Sequence, residues 1–268
     1  MSRYLHQLPD WPRFRWDQDA LATPLAEVRH HQGRLLGRME GLGFALQKEA
    51  ELETLTLDVV KSSEIEGEKV HPEQVRSSIA RRLGLDDGGA EPADRDVEGV
   101  VEMMLDATQN FAKPLTEGRL LAWHAALFPT GRSGMRRIIV GAWRDDAAGP
   151  MQVVSGSIGK EKVHYEAPAA ALLPEEMARF LAWTNEKDGT DAVLRAGLAH
   201  LWFVTIHPAT LFSTGTDIPR NAGFSRFVAA SKYSSRVVSL YSKIDAASAW
   251  HRSAAALTMR AKSSVRSS

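Results

Sequence analysis

Hydrophobic side chains recur at helical spacing through most of the first 206 residues, and this pattern predicts a mainly α-helical fold. Glycines at 41 and 43 break the first helical stretch, Pro72 is suited to begin a later helix, and Thr116 is suited to cap another. The expected helices cover about 22–40, 48–66, a stretch from Pro72, 94–112, a stretch after Thr116, 168–185 and 190–206.

Two runs rich in β-branched residues interrupt the helical spacing. Residues 137–143 read R-I-I-V-G-A-W and residues 151–155 read M-Q-V-V-S, with a polar, turn-rich segment between them. Such runs predict one small β-hairpin, or two short extended arms. The glycine-rich stretch at 154–160 lacks the spacing of a phosphate-binding P-loop, and we interpret it as the exit of the hairpin.

The composition argues against several classes of protein and of functional site. The chain has no Cys, which excludes disulfides and thiolate metal sites, and its net charge of zero argues against a nucleic-acid partner. We predict no metal site, since the His30–His31 and His200/His207 pairs do not form a known ligand motif. No stretch resembles a membrane span or a signal peptide, so we expect a soluble, cytoplasmic protein.

Charge and patterning change abruptly after Pro208. Residues 209–268 hold two acids, nine Lys or Arg and 13 Ser, a net charge of +7, whereas the preceding residues hold 31 acids and 24 bases, a net charge of −7. We therefore expect three regions: a helical extension at 1–90, a helical core at 91–208, and a basic, Ser-rich tail of low order at 209–268.

Three segments, in chain order, resemble the Fic (fido) family. Residues 62–67 read S-S-E-I-E-G, residues 141–168 run from G-A-W-R to V-H-Y-E-A-P, and residues 200–208 read H-L-W-F-V-T-I-H-P. The resemblance covers about residues 3–208. It is to bacterial Fic proteins with a helical N-terminal extension and an N-terminal inhibitory motif, and it implies a fido-type helical domain whose hairpin is a flap.

The resemblance also implies an activity, transfer of AMP from ATP with Mg²⁺ to a hydroxyl of an unknown target protein. His207 would be the general base that takes the proton from that hydroxyl. Ser62, Glu66 and Gly67 would form the inhibitory motif, whose carboxylate blocks the nucleotide site. The flap, with Val140, Trp143, Val153 and Val154, would align the target backbone by strand addition. Without the family context, residues 62–67 are far more typical of an ordinary acidic helix end that stops at a Gly. The hairpin could also be a structural cap on the helices, and this role is compatible with that of a flap.

The chain departs from the family after Pro208. In the family, His-Pro-Phe is followed by an acid, Gly-Asn-Gly-Arg and a second Arg, which hold Mg²⁺ and the phosphates. Residues 209–220 here read A-T-L-F-S-T-G-T-D-I-P-R. Thr214 and Gly215 are the residues we assign to a weakened nucleotide loop. With or without a gap, no alignment brings a metal carboxylate, a Gly turn and a phosphate Arg together.

We therefore predict an adenylyltransferase scaffold with impaired catalysis. A frameshift or gene junction after Pro208 is our hypothesis for the change, and the other reading frames of the coding DNA would test it. The alternative is a non-enzymatic interaction module that uses the helical extension and the flap. If the C-terminal helices of the family are lost, apolar helix faces that they normally cover become exposed. We therefore expect a protein that aggregates or forms a homodimer.

Overall fold

The computed structural model describes residues 4–65, 70–86, 89, 92–133, 136–155, 160 and 162–209. Within these ranges the chain forms seven α-helices and two small antiparallel sheets, which confirms the mainly α class. The helices are α1 Gln18–Glu40, α2 Phe44–Ile65, α3 Pro72–Arg82, α4 Arg95–Gln109, α5 Glu117–Leu127, α6 Leu173–Asn185 and α7 Ala192–Ile206. The strands are β1 Arg132–Ser133, β2 Arg136–Arg137, β3 Gln152–Ser155 and β4 Lys162–Glu166, and short 3₁₀ helices cover Leu5–Gln7 and Ala170–Leu172.

Local signals in the sequence account for several helix starts. The Thr116 hydroxyl accepts a hydrogen bond from the Arg119 N–H at 3.2 Å, so it caps α5. The Asp191 carboxylate accepts from the first N–H groups of α7 in the same way. Pro72 occupies the first turn of α3. Backbone N–H groups there have no acceptor within the helix, so the missing N–H of proline costs no hydrogen bond.

One hydrophobic core joins α2 to α7. Its fully buried members include Val59 on α2, Ile79 on α3, Met104 on α4, Phe180 on α6 and Phe203 on α7. The helical extension and the later helices therefore share buried side chains.

The crossing of α4 and α5 depends on Gly99. A Cβ at this position would lie 1.9 Å from the Ala126 carbonyl oxygen, which belongs to the backbone of α5 and cannot rotate away. The two helices thus approach more closely here than any side chain allows.

Gly99→Ala is expected to lower the free energy of unfolding by about 1–3 kcal/mol, because α4 and α5 must separate to admit the methyl group. Urea denaturation measures this. Gly118→Ala on α5 is the control, since a Cβ there meets nothing within 4 Å. It should leave stability unchanged or raise it by up to about 1 kcal/mol. Equal effects of the two variants would contradict the close-contact explanation.

The predicted pairing of residues 137–143 with 151–155 is wrong. Strand β3 instead pairs with β4, with Val153 opposite Tyr165. Residues 156–159 of the glycine-rich stretch, which we interpreted as the exit of the hairpin, lie outside the described residues. Residues 138–151 form no strand, because Gly141 and Gly149 adopt positive φ angles of 71° and 102° and turn the chain.

The N-terminal aromatic residues pack on the body of the protein. The rings of Trp11 and Phe14 lie 5.9 Å and 5.8 Å from the ring of Trp202 on α7. By contrast α1 buries none of its side chains. Across the described part of the chain, no helix combines the length and the apolar character that crossing a bilayer requires.

Candidate functional site

His207 follows the last residue of α7 and has a left-handed backbone conformation. Its φ is 54° and its ψ is 58°, and its N–H still donates to the Phe203 carbonyl at 3.0 Å. His tolerates this region better than most residues, but a following proline further restricts the backbone before it. Such a conformation persists only where the surroundings hold it in place.

The side chain of Arg144 supplies that support. Its Nε donates to the His207 carbonyl at 2.7 Å and its Nη2 donates to the carbonyl of Pro168, while its backbone N–H donates to the Pro208 carbonyl at 2.9 Å. Asp146 accepts from Nη1 at 2.8 Å, and the arginine side chain is only 2% exposed. Arg144 therefore fixes the backbone on both sides of the His207–Pro208 bond.

The imidazole of His207 is buried and neutral. Burial lowers the pKa of His207 to about 4, and the positive charge of Arg144 acts in the same direction, while a hydrogen bond with the Val204 carbonyl opposes them. Nδ1 lies 3.3 Å from that carbonyl, which can only accept, so Nδ1 carries the proton. The lone pair is then on Nε2, the nitrogen able to take a proton from a hydroxyl.

The base of the β3–β4 hairpin is attached to the end of α7. The Tyr165 hydroxyl donates to the Thr205 carbonyl at 2.6 Å, and the Ala167 N–H donates to Met151 at 2.9 Å. The hairpin is thus anchored two residues before His207.

The structure places two of the four predicted flap residues on a strand and two outside any strand. Val153 and Val154 lie on β3 and are half-buried. Val140 and Trp143 lie outside any strand and pack against the hydrophobic core, so they are not part of the β3–β4 hairpin. The turns at Gly141 and Gly149 and the bonds of Arg144 explain this, since they take the chain away from a strand path.

Of the predicted inhibitory motif, the structure places only Ser62. It lies in the last turn of α2 and is half-buried, beside an exposed ion pair between Lys61 and Glu64 at 2.7 Å. Glu66 and Gly67 lie outside the described residues, and so do Thr214 and Gly215 of the predicted nucleotide loop.

Two family sequence profiles match parts of this chain. The sequence profile of the Fic/DOC family matches residues 114–210, the segment that holds the hairpin, α7 and His207. Residues 114–210 form a Fic/DOC family domain. A second profile, a domain of unknown function named DUF4172, matches residues 4–85. Among curated proteins, no sequence matches the chain.

Solved structures of Fic proteins share the fold. A Fic family protein from Desulfovibrio desulfuricans has a TM-score of 0.52 and 21% identity, over 88% of this chain and 67% of its own. A Fic domain containing signaling protein from Bacteroides thetaiotaomicron has a TM-score of 0.50 and 16% identity, over 80% of this chain and 73% of its own. At these identities the likeness concerns the fold alone.

Fic proteins generally use ATP with Mg²⁺, and the residues that the structure describes offer no set of ligands for the metal ion. Among the described residues, no three His, Asp or Glu side chains are grouped as a metal ion needs. After Pro208, Leu211 and Ser213 occupy the sequence positions of the acid and the Asn of the Fic loop. Mg²⁺ prefers carboxylate oxygen, and neither side chain offers it.

Sequence reasoning missed the two residues that hold His207 in place. Arg144 and Tyr165 both bind backbone carbonyls of the α7 end. A carbonyl acceptor leaves no signature in the sequence, because every residue has one. Trp143-Arg144-Asp145-Asp146 was the only local signal, a possible ion pair beside an aromatic ring in an otherwise turn-like segment.

Proposed function

We propose that the protein is a Fic-family adenylyltransferase scaffold whose catalysis is impaired: it keeps the base and lacks the phosphate loop. ATP with Mg²⁺ and the hydroxyl of a target protein are the reactants that this activity would use, in the cytoplasm. One observation carries the proposal. His207 is held next to the hairpin by Arg144, while no alignment of the residues after Pro208 places the acid, the Gly turn and the Arg together at the positions of the Fic loop.

The geometry supports a role for His207 as a proton acceptor. A base must be neutral, and the lowered pKa keeps the imidazole neutral at pH 7 with its lone pair on Nε2. The hairpin base beside it is where strand addition would present a target hydroxyl. The same low pKa makes His207 a weak base, since general bases work best with a pKa near the working pH.

The missing loop groups decide the predicted rate. Loss of one charge-stabilising donor lowers a rate by roughly 10²–10³. Several such groups are absent from their positions in the Fic loop, and even non-additive losses leave little activity for His207 alone.

The Glu66→Gly variant is expected to show no AMP transfer. In an intact Fic protein, removing the inhibitory carboxylate would free the phosphate site, but here the partners of the phosphates are missing. The measurement is incorporation of label from ATP by wild type, Glu66→Gly and Glu66→Gly/His207→Ala. Strong labelling by Glu66→Gly that vanishes in the double variant would refute impaired catalysis.

The second candidate function is a non-enzymatic interaction module. Helix α1 buries no side chain, and at the start of α2 Phe44 is 77% exposed and Leu46 is 60% exposed. Apolar surface of this kind is typical of a site for a partner or a second copy. A melting temperature that ATP with Mg²⁺ leaves unchanged, together with a dimer in ultracentrifugation that Phe44→Ser dissociates, would favour this function.

A further inference from the structure

The N-terminal segment, residues 4–16, contacts the candidate site through Tyr165. Nδ1 of His6 lies 3.1 Å from the Tyr165 hydroxyl oxygen. The ring of Tyr4 meets the ring of Tyr165 edge-on, with 5.2 Å between centroids. These residues belong to the region matched by the domain of unknown function, whereas Tyr165 lies on β4 of the Fic domain.

The direction of the hydrogen bonds at Tyr165 can be assigned. The hydroxyl has one hydrogen, and it donates that hydrogen to the Thr205 carbonyl at 2.6 Å. Nδ1 of His6 must therefore donate to the hydroxyl oxygen. Burial raises the pKa of Tyr165, so the phenol remains a protonated donor. A continuous chain of bonds runs from His6 through Tyr165 to the last turn of α7.

A second set of contacts fixes the same segment one turn earlier on α7. Trp11 Nε1 donates to the Glu176 carboxylate of α6 at 3.1 Å, and the ring of Trp11 packs on Trp202. Trp202 and Thr205 are three residues apart in sequence, so they lie on neighbouring positions of one helix face. The N-terminal segment thus holds the final two turns of α7, the helix that His207 follows.

We propose that the N-terminal segment positions the candidate base, with Tyr165 as the positioning residue that connects this segment, the hairpin and the end of α7. The inference rests on the proposed role of His207. Arg144 binds the carbonyls at and after His207, whereas Tyr165 binds the carbonyl two residues before it. The backbone at His207 is therefore held from both sides, and the region of unknown function supports one of them through the bond between His6 and Tyr165.

Tyr165→Phe tests the proposal, because it keeps the ring and removes the hydroxyl. The loss of one hydrogen bond should raise amide hydrogen exchange at 205–207 by about fivefold. NMR titration should show His207 protonating at a higher pH than in wild type, because the end of α7 becomes more open to water. His6→Ala should change both measurements in the same direction by less, and it serves as the second variant if Tyr165→Phe does not fold.

Thr108→Val is the matched control. Its hydroxyl also donates to a helix carbonyl, that of Met104 at 2.8 Å, but it lies in the buried part of α4. It should lower the melting temperature as much as Tyr165→Phe and leave His207 unchanged. The proposal fails if Tyr165→Phe lowers the melting temperature while exchange and titration at His207 stay as in wild type. Neither readout requires AMP transfer, so an inactive protein would not affect this result.

Discussion

Replacing Arg144 by Met is expected to destabilise the protein by about 3–5 kcal/mol, the usual effect of removing one partner from a buried charge network. The substitution leaves Asp146 without its cation and removes the donors to the His207 and Pro168 carbonyls. The left-handed backbone at His207 would then lose its main support. Urea denaturation at pH 7 measures the change.

Arg15→Met is the matched control for this result. Arg15 also pairs with an aspartate, Asp10, at 2.8 Å, but the two side chains are 79% and 58% exposed. Its loss should change stability by less than about 1 kcal/mol. Arg144→Lys should fall between the two, since an ammonium cannot reach three acceptors with fixed geometry. If Arg144→Met costs no more than Arg15→Met, the buried arginine does not hold the site.

Acid is expected to destabilise the wild-type protein more than a His207→Asn variant. The pKa of His207 is about 4 in the folded chain, against an ordinary value of 6.5. Between these values the unfolded chain binds a proton that the folded chain does not, so stability falls as the pH is lowered from about 6.5 to 4. The full shift corresponds to about 3 kcal/mol.

Urea midpoints at pH 7 and pH 4.5 for both proteins measure this difference. Asn suits the variant, since it accepts the left-handed conformation and does not titrate. Burial also lowers the pKa of His6, but His6 is present in both proteins and its contribution cancels. Parallel loss of stability in the two proteins would mean that His207 is not the buried, neutral group described.

Helices were predictable from sequence where a local rule decides them. Thr116 begins α5 through its own side chain, and Val75 and Ile79 fall on the buried face of α3 through spacing alone. The partner of β3 was not predictable in this way. Residues 137–143 and 162–166 both follow a strand-like pattern, and the choice between them depends on contacts of Arg144 with residues more than 60 positions away.

The candidate site was predictable only in part, for a similar reason. His207 is recognisable because the His-Pro step follows an apolar helix. Its burial, its lowered pKa and its left-handed backbone come from the tertiary structure. A pattern of residue types cannot show that a carbonyl near the end of a helix will meet a guanidinium.

Arg144 recognises main-chain oxygens, which every amino acid carries, and this has an evolutionary consequence. Mutations can replace the side chains that follow His207 without removing the acceptors that Arg144 uses at His207, Pro168 and Pro208. A lineage can therefore lose the loop beyond this point and still inherit the histidine in its original place. Selection on the scaffold and selection on the reaction become separable, and the boundary between them falls at Pro208.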